Sequence, residues 1–538
     1  MKIHVNQVGY RTGSPKYAMI ASQEKPQGAF YLVNADETTR VELTVSKFGK
    51  DSYSEDTLWI ADFSHIKTEG RYFIEYYSCN PRSETFEISA NPYADPLHDI
   101  LRMFYYMRCG VELTEEFAGP YHHKSCHDGN VIRYTDGALL PPITGGWHDA
   151  GDFGRYASPG AVAVAHLLYA FELFPAKCPS LNLPESGNGV PDILNECRFE
   201  LEWLLKVQFE DGSVSHKLTT ERFSDFMMPE EDTAQLYLYQ MSSMATADFA
   251  AVTALAARIY EPYDVAFADT LKKASLRARD YLYEHPEHTG FRNPPGNMTG
   301  WYGDRSDSDE RMWMLAETYR LTKDAKDLAE LQKLADGDID KTTLGWFLVG
   351  GFAGLSILFA PPELFPDELT DKFRKAFLER SDKLLAISSQ NGYRIAMPLE
   401  AFGWGSNMTV MDCSAALIVS TLLSGNPAYA IAAEENIHYL LGRNPLDRSY
   451  VTGHGAGAFK NPHNRPTASD GIDDPYPGLV SGGANAHPVD EPAKAAIPAG
   501  TPTLYCHLDD VGSFSTNEIA IYWNSPAVFV GAYFNSLT

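Results

Sequence analysis

The sequence lacks the features that mark secreted disulfide-rich proteins and membrane proteins. Its seven cysteines are scattered and odd in number, which does not indicate a disulfide framework. Residues 1–9 contain no long apolar core, so no secretory signal is visible. We therefore expect a cytoplasmic location, or an extracellular one if a leader has been removed. The longest uncharged run, residues 344–360, is short for a membrane span and predicts a buried helix with no membrane partner.

Positive charge is also scarce. The chain has 44 Lys and Arg against 71 Asp and Glu, a net charge of −27. This charge repels a phosphate backbone and argues against nucleic acid as a partner, whereas neutral or cationic substrates are compatible with it. With 538 residues, 44% of them hydrophobic, the chain is too long for one ordinary core and predicts a globular protein of two domains.

The hydrophobic periodicity changes after residue 90. Residues 3–90 alternate in period two between Gly, Pro, Asn and Asp, which predicts about seven short strands in an immunoglobulin-type sandwich. The predicted domains are an all-β immunoglobulin-like sandwich over 1–91 and an all-α (α/α)6 barrel over 92–538. About twelve helices of period 3.6 support the second domain, over 97–108, 158–174, 190–208, 244–260, 266–284, 308–322, 324–335, 344–359, 367–389, 408–423, 427–441 and 516–535.

The most distinctive motif is GGWHDAGDFGRY at residues 145–156. It places Asp149 and Asp152 three residues apart, among glycines that permit tight turns. Two acids this close repel each other unless they have separate roles, and a water can lie between them. By itself, the motif is equally compatible with a glycine-rich turn that carries solvated acids. Three flat side chains of the kind on which sugar rings stack accompany it: Trp147, Phe153 and Tyr156.

A second motif, SYVTGHGAGAFKNPHNRP, covers residues 449–466. It places His463 and Arg465 two residues apart in a Gly/Pro-rich loop, where both side chains can donate hydrogen bonds to sugar hydroxyls. The alternative is a surface loop with ordinary polar residues.

A third motif, DDVGSFSTNEIAIYWNS, covers residues 509–525 and predicts Glu518 in the first turn of the last helix. Ser515 and Glu518 have the spacing of a capping box, which favours a plain helix cap. A helix N-terminus also stabilises the ionised carboxylate, so burial must outweigh the helix dipole if Glu518 is to hold a proton near neutral pH.

In this order, the three motifs resemble those of glycoside hydrolase family 9, the cellulase family with inverting chemistry. Gly457 departs from the pattern, since a polar or basic residue is usual there, and His507 replaces an aromatic residue. HVNQVGY near the N-terminus resembles the immunoglobulin-like module that precedes the catalytic domain in many members. MATADFAAVTALAARIY fits the body of the catalytic domain, so the resemblance spans nearly the whole chain.

The resemblance implies an acid and a base for hydrolysis of β-1,4-glucosidic bonds. Asp152 would take a proton from the attacking water, Asp149 would help to hold that water, and Glu518 would protonate the departing oxygen. Inversion needs the acid and the base about 6.5–9.5 Å apart to admit water, whereas retention needs about 5 Å.

The resemblance also implies sugar-binding and supporting residues. His463 and Arg465 would bind the sugar on the non-reducing side of the scissile bond, and Asp509 would support the site. Aromatic residues are further candidates to line the sugar cleft, with core packing about equally favoured for those in loops: Trp147, Tyr156, Trp301, Tyr302, Trp346, Phe402, Trp404 and Tyr522.

A metal site is predicted beside the first motif. Two thiolates and two imidazoles form a closed tetrahedral set suited to structural zinc, which some family members carry at matching positions: Cys109, Cys126, His127 and His148. With no open position, zinc would hold the loop of Asp149 and Asp152 rather than activate water. The alternative is a pair of buried free thiols with unrelated histidines. Acidic residues at 307–310 are a candidate calcium site, although a helix N-terminus explains them equally well.

The hypothesis that follows is an inverting glycoside hydrolase with no organic cofactor. An endoglucanase is the family default, and the missing secretion signal favours an exo-acting enzyme on short imported oligosaccharides, either an exo-β-glucosidase or an exo-β-glucosaminidase. Two rivals remain at this stage. One is a zinc-dependent hydrolase that uses the Cys/His cluster directly, and the other is an inactive carbohydrate-binding or scaffold protein on the same fold.

Overall fold

The computed structural model describes residues 1–77 and 81–537, so that Cys79 lies outside the described residues. The N-terminal part is built from eight strands: β1 (Lys2–His4), β2 (Gly9–Arg11), β3 (Tyr17–Ala21), β4 (Phe30–Asn34), β5 (Arg40–Lys50), β6 (Thr57–Asp62), β7 (Gly70–Tyr76) and β8 (Phe86–Ser89). The strand order is β1-β3-β6-β5-β4-β7-β8-β2.

The long strand β5 joins two layers of this β-sandwich. Its first half pairs antiparallel with β4, and its second half pairs antiparallel with β6 across a register shift between Lys47 and Gly49. Side chains from both layers share one core, which contains Ile20 from one layer and Leu32 and Ile74 from the other. The period-two alternation of the sequence arises because each strand buries one face against this core.

The first strand of the sandwich is short. β1 ends at His4 rather than continuing through residues 4–8. The Asn6 side chain accepts hydrogen bonds from the backbone N–H groups of Val8 and Gly9 at 2.9 and 3.0 Å, which turns the chain out of the strand. The sequence pattern did not predict the separate strand β2 that follows this turn.

After a short connection the chain becomes mainly helical. The described residues contain sixteen α-helices: α1 (Ala94–Tyr106), α2 (Glu115–Ala118), α3 (Ala157–Leu173), α4 (Asp192–Lys206), α5 (Ser243–Tyr260), α6 (Val265–Glu284), α7 (Ser308–Thr322), α8 (Ala325–Ala335), α9 (Gly350–Leu358), α10 (Asp367–Gln390), α11 (Ser406–Ser424), α12 (Pro427–Leu440), α13 (Arg465–Ser469), α14 (Glu491–Ala496), α15 (Phe514–Asn517) and α16 (Ile521–Asn535).

Each of the twelve predicted helices has a counterpart, and several neighbours along the chain pack against each other, such as α5 with α6 and α11 with α12. Helix α5 packs against α6, α7 and α3, and α16 packs against α3, α11 and α1. The largest difference is at α9, predicted from residue 344 but beginning at Gly350. The preceding segment is a loop held by buried carboxylates, because Leu344 N–H donates to Asp412 and Val349 N–H donates to Asp309.

The most apolar helix is part of the core. By length and composition, α11 could cross a membrane, but 72% of its most apolar window is buried inside the protein. The uncharged run at 344–360 likewise contributes the buried helix α9 rather than a span.

A small second sheet lies in the helical part. It has the strand order β10-β9-β13-β12-β11. Its pairing places Tyr156 opposite Lys217, which brings the end of the first motif next to a distant part of the chain. Its five strands are β9 (Val131–Arg133), β10 (Leu139–Leu140), β11 (Arg155–Tyr156), β12 (Lys217–Thr219) and β13 (Leu236–Leu238).

The N-terminal sandwich is tied to the loop of the second motif at Gly457, a position that departs from the family pattern. A Cβ at this residue would lie 2.2 Å from the carbonyl oxygen of Asp447, so only glycine fits. The Gly457 N–H donates to Gln7 Oε1 at 2.6 Å, and Gln7 Nε2 donates to the Asp447 carbonyl at 2.6 Å.

Candidate active site

A cavity of about 580 Å³ collects residues from all three motifs. Its wall combines carboxylates, basic side chains and aromatic rings from segments up to 374 positions apart. Most of the predicted site residues line it, together with several that were not predicted: Asp149, Ala150, Asp152, Tyr156, Phe223, Gly300, Trp301, Tyr302, Trp346, Trp404, Met408, His463, Arg465, Phe514, Glu518, Tyr522 and Trp523.

Asp152 lies in a tight turn of the first motif. Its Oδ2 accepts hydrogen bonds from the Gly154 N–H at 3.0 Å and from the Tyr156 hydroxyl at 3.3 Å. The turn also passes close to the second motif, since a Cβ at Gly151 would lie 2.1 Å from the carbonyl oxygen of His463. Glycine is therefore required for Asp152 to reach the cavity beside His463.

Asp149 is buried, and its Oδ2 accepts a hydrogen bond of 2.5 Å from the Tyr302 hydroxyl. Burial, together with the negative charges of Asp152 and Glu518, raises the pKa of Asp149 well above its ordinary value, and Tyr302 opposes this shift. Tyr302 has φ of 38°, a backbone region that a non-glycine residue rarely adopts. This strained backbone turns the phenol towards Asp149.

The helix position predicted for Glu518 is wrong. Glu518 has extended backbone angles between α15 and α16, and its strand-like bridge to His463 aligns the third motif with the second. No capping box forms with Ser515, because the Ser515 hydroxyl donates to Asp490 instead. The helix dipole that was expected to keep Glu518 ionised therefore does not apply.

The surroundings of Glu518 favour its protonated form. Burial and the negative charge of Asp152 raise its pKa to about 8, while Arg465 opposes the shift. A carboxyl of this kind holds a proton at neutral pH and can donate it. Asp152 and Glu518 thus offer two carboxyls with different environments in one cavity.

His463 and Arg465 are both held by backbone carbonyls. The Val511 carbonyl lies 2.6 Å from His463 Nδ1, so that ring nitrogen is the donor. Arg465 donates to the Gly151 carbonyl at 2.6 Å and to the Ser224 carbonyl at 2.9 Å. These contacts fix both side chains at one side of the cavity.

Asp509 supports the loop of the second motif from outside the cavity. Its carboxylate accepts hydrogen bonds from the backbone N–H groups of Lys460 and Asn461 and pairs with Arg448. His507, the other departure from the family pattern, is buried, and its Nε2 lies 3.0 Å from the Ser481 hydroxyl.

Two predicted cleft residues lie elsewhere. Trp147 is buried in the core, and its indole N–H donates to Glu196 at 2.8 Å, so it cannot stack on a sugar. Phe402 is also buried and contacts the rings of Tyr53 and Tyr439. In both cases, adjacent glycines indicated a loop correctly but gave no information on the direction of the side chain.

Lys217 supports the wall of the cavity at Gly300, a role that sequence reasoning missed. Its Nζ donates to Asn293, Thr299 and the Gly300 carbonyl at 2.7, 2.8 and 2.8 Å. Burial lowers the pKa of Lys217 to about 7, while Asp152 opposes the shift. The available sequence signal was a lysine in a short strand, which is too common to identify a site.

The four predicted zinc ligands lie together and are all buried. Their ligand atoms lie within 4.8 Å of one another, with Cys109 Sγ 3.7 Å from His127 Nδ1 and Cys126 Sγ 4.0 Å from His148 Nε2. Tetrahedral zinc would separate sulfur from nitrogen by about 3.6 Å, so the set fits the metal. Asp232 Oδ2 lies 3.6 Å from the remaining nitrogen of His127, in the position of an orienting carboxylate.

The acidic residues at 307–310 lie at the start of helix α7. This is the helix N-terminus that the sequence offered as the alternative to a calcium site. Asp307 precedes the helix and pairs with Arg311, and Asp309 accepts the Val349 N–H at 2.8 Å. These contacts occupy two of the carboxylates within the protein. Calcium binding there stays a prediction.

Comparison with known families gives the class of protein. A family model described as Glycosyl hydrolase family 9 matches residues 93–531. A model described as Cellulase N-terminal ig-like domain matches residues 1–80. The chain is therefore an O-glycosyl hydrolase by class, built from an immunoglobulin-like β-sandwich and a helical catalytic region. More particularly, it belongs to glycosyl hydrolase family 9, as the three motifs predicted.

Individual proteins are similar over the whole chain. The cellodextrinase of Butyrivibrio fibrisolvens is 40% identical, over 98% of each chain. The structure of AaCel9A in complex with cellobiose-like isofagomine superimposes with a TM-score of 0.92, at 35% identity over 99% of this chain and 100% of that one. A Zn-binding triple mutant of the family 9 endoglucanase J30 superimposes with a TM-score of 0.91, at 32% identity over 98% of this chain and 99% of that one.

Proposed function

We propose that the protein is an inverting hydrolase that cleaves β-1,4-glucosidic bonds of soluble oligosaccharides. The observation that carries the proposal is the shared cavity of Asp152 and Glu518. The Asp152 carboxyl accepts two hydrogen bonds, whereas the Glu518 carboxyl has a pKa of about 8 and is protonated at neutral pH. Aromatic rings around them provide surfaces for sugar stacking.

In the proposed reaction, Asp152 takes a proton from a water as that water attacks the anomeric carbon. Asp149, held by the Tyr302 hydroxyl, helps to orient the same water. Glu518 gives its proton to the glycosidic oxygen as the bond to the anomeric carbon breaks. The water attacks from the face opposite the leaving group, so a β-bond yields an α-product.

The proposed substrates are short β-1,4-linked saccharides, processed from a chain end in the cytoplasm. The name of the 40% identical relative, cellodextrinase, supports the choice of short saccharides. Glucose-type and glucosamine-type sugars both fit an acidic protein, since carboxylates attract a protonated amine. The helical region, in which neighbouring helices pack in pairs, is proposed to be an (α/α)6 barrel.

Structural zinc is proposed at the Cys/His cluster. Cys109, Cys126, His127 and His148 would hold it, and a closed set of four ligands supplies rigidity rather than an activated water. The cluster is next to the catalytic motif, because its ligand His148 directly precedes Asp149. The His148 N–H also donates to the carbonyl of Met107, two residues before the ligand Cys109, at 2.7 Å. The Zn-binding variant of a family 9 relative supports the choice of metal.

A product profile tests the proposal. The protein is incubated with cellobiose, cello-oligosaccharides, their glucosamine equivalents and soluble cellulose, and products are followed in time. Monosaccharide from the first time point is expected, whereas an early fall in polymer viscosity would indicate internal cleavage. Absence of turnover with all of these saccharides, together with retained binding, would favour the inactive binding protein. A zinc-dependent hydrolase would lose turnover at once with a chelator.

A further inference from the structure

The loop of residues 220–235, which connects β12 to β13, is long for two strands that pair directly. Loops of more than about 12–15 residues without regular structure are usually functional. Among its described structure is one 3₁₀ turn, Pro229–Glu231. Phe223 and Phe226 are 46% and 44% exposed in this loop, although phenylalanine is among the residue types most often buried. Phe223 also lines the catalytic cavity.

The loop packs directly on the two residues at one side of the cavity. The guanidinium of Arg465 lies 5.6 Å from the ring centroids of both Phe223 and Phe226. Arg465 also donates to the Ser224 carbonyl between them, at 2.9 Å. The Phe226 ring meets the His463 ring nearly at right angles, at 5.3 Å. The proposed binding residues for the sugar therefore have an aromatic barrier beside them.

Contacts at both ends hold the loop in this place. At its start, the Glu221 carbonyl accepts the Met298 N–H at 2.8 Å. Near its end, Asp232 lies 3.6 Å from His127 of the Cys/His cluster. Between the loop and the Asp152 turn there is a cavity of only about 10 Å³, which is room for about one water. A sugar unit cannot pass there without displacing the loop.

We propose that the 220–235 loop closes the catalytic cavity on the side of His463 and Arg465, so that the protein cleaves near the non-reducing end of soluble β-1,4-linked oligosaccharides. This inference rests on the proposed function and on the sugar orientation that the family resemblance implies. Phe223 and Phe226 are then specificity-determining residues: a chain that extends beyond the sugar held by Arg465 meets their rings.

Cellohexaose labelled with ¹⁸O at its reducing end tests the proposal. The unmodified protein is expected to give long labelled fragments first, shortened from the non-reducing end. In the Phe223→Ala/Phe226→Ala variant, the ratio of short to long labelled fragments should rise at least about tenfold, the discrimination that a few apolar contacts supply. Tyr263→Ala, an exposed aromatic residue outside the cavity, is the matched control and should leave the ratio unchanged.

The outcomes distinguish the role of the loop from the proposed function. An unchanged ratio in the double variant, with hydrolysis intact, would overturn the role of the loop while leaving the proposed function in place. Short labelled fragments from the unmodified protein at the first time point would also overturn the role of the loop and leave the proposed hydrolysis in place. No hydrolysis by the unmodified protein would contradict the proposed function itself. If the double variant has lost its near-UV circular dichroism signal, Phe226→Ala alone gives the test, with an expected rise in the same direction.

Discussion

Two groups of buried carboxyls lie in the helical region and differ in what surrounds them. The cavity carboxyls (Asp149, Asp152 and Glu518) line a space of about 580 Å³. The helix carboxyls (Asp248, Asp309 and Glu310) lie on α5 and α7 and are not part of that wall. Burial raises the pKa of members of both groups.

The comparison shows that a raised pKa does not identify a catalytic residue by itself. In the cavity group, one carboxyl accepts hydrogen bonds, another holds a proton, and aromatic walls leave room for a ligand beside them. In the helix group, Asp309 also accepts a hydrogen bond and burial also raises the pKa of Asp248 and Glu310, but none of these side chains lines the cavity. Geometry around an open space is therefore the discriminating feature.

The largest difference between the groups is expected on removing the proposed base. Asp152→Asn should lower kcat by about 10³-fold, because the amide cannot accept the proton of the attacking water. Steady-state hydrolysis of cellobiose measures this, with cellobiose binding followed by calorimetry. Asp248→Asn is the matched control and should retain its kcat. Equal losses of kcat in both variants would contradict the distinction between the cavity carboxyls and the helix carboxyls.

The next largest effect is expected at Glu518, and it depends on pH. A general acid must be protonated, so kcat of the unmodified protein should fall as the pH rises through about 8. Glu518→Gln should lower kcat by about 10²-fold at pH 6 and should lose this alkaline limb. The pH profile of kcat for both proteins gives the test. An alkaline limb that persists in the variant would assign the proton to another group.

A smaller effect is expected at Lys217, which positions the segment before Tyr302. Lys217→Met removes three hydrogen bonds from that segment. It should lower kcat by about tenfold and change KM less, because Tyr302, the hydrogen-bond partner of Asp149, shifts. Lys217→Arg should recover part of the loss. A change in KM alone would indicate a contact with the sugar instead.

The smallest effect is expected in the helix group. Since the folded state raises the pKa of Asp248, folding favours its protonated form, and stability falls as the pH rises from about 4 towards the folded pKa. Asp248→Asn removes this penalty, so the free energy of unfolding at pH 8 should rise by about 1 kcal/mol. Denaturant unfolding at pH 5 and pH 8 measures it. A loss of stability at both values would show that Asp248 makes a required contact.

Local patterns in the sequence predicted most of the fold. The twelve periodic helices are present, because an amphipathic stripe such as Ile193, Leu194 and Leu201 of α4 must be buried whatever it packs against. The three motifs likewise predicted the carboxyls of the cavity, and a separate set of two cysteines and two histidines predicted the Cys/His cluster.

The remaining features depend on contacts between distant residues. Ser515 and Glu518 had the spacing of a helix cap, but Asp490 takes the Ser515 hydroxyl and leaves Glu518 extended beside His463. Trp147 points into the core, where Glu196 of α4 accepts its indole N–H. The roles of Lys217 and Phe223 arise from strand pairing and from Arg465. No local pattern carries such information.

The most direct test of the central claim follows the anomeric configuration of the first product. Cellotriose is mixed with the protein in an NMR tube, and the anomeric proton signals are recorded before mutarotation is complete. The α-anomer should appear first at the newly formed reducing end, because Asp152 and Glu518 act on opposite faces of the sugar. Initial formation of the β-anomer would contradict the assignment of these two carboxyls as base and acid.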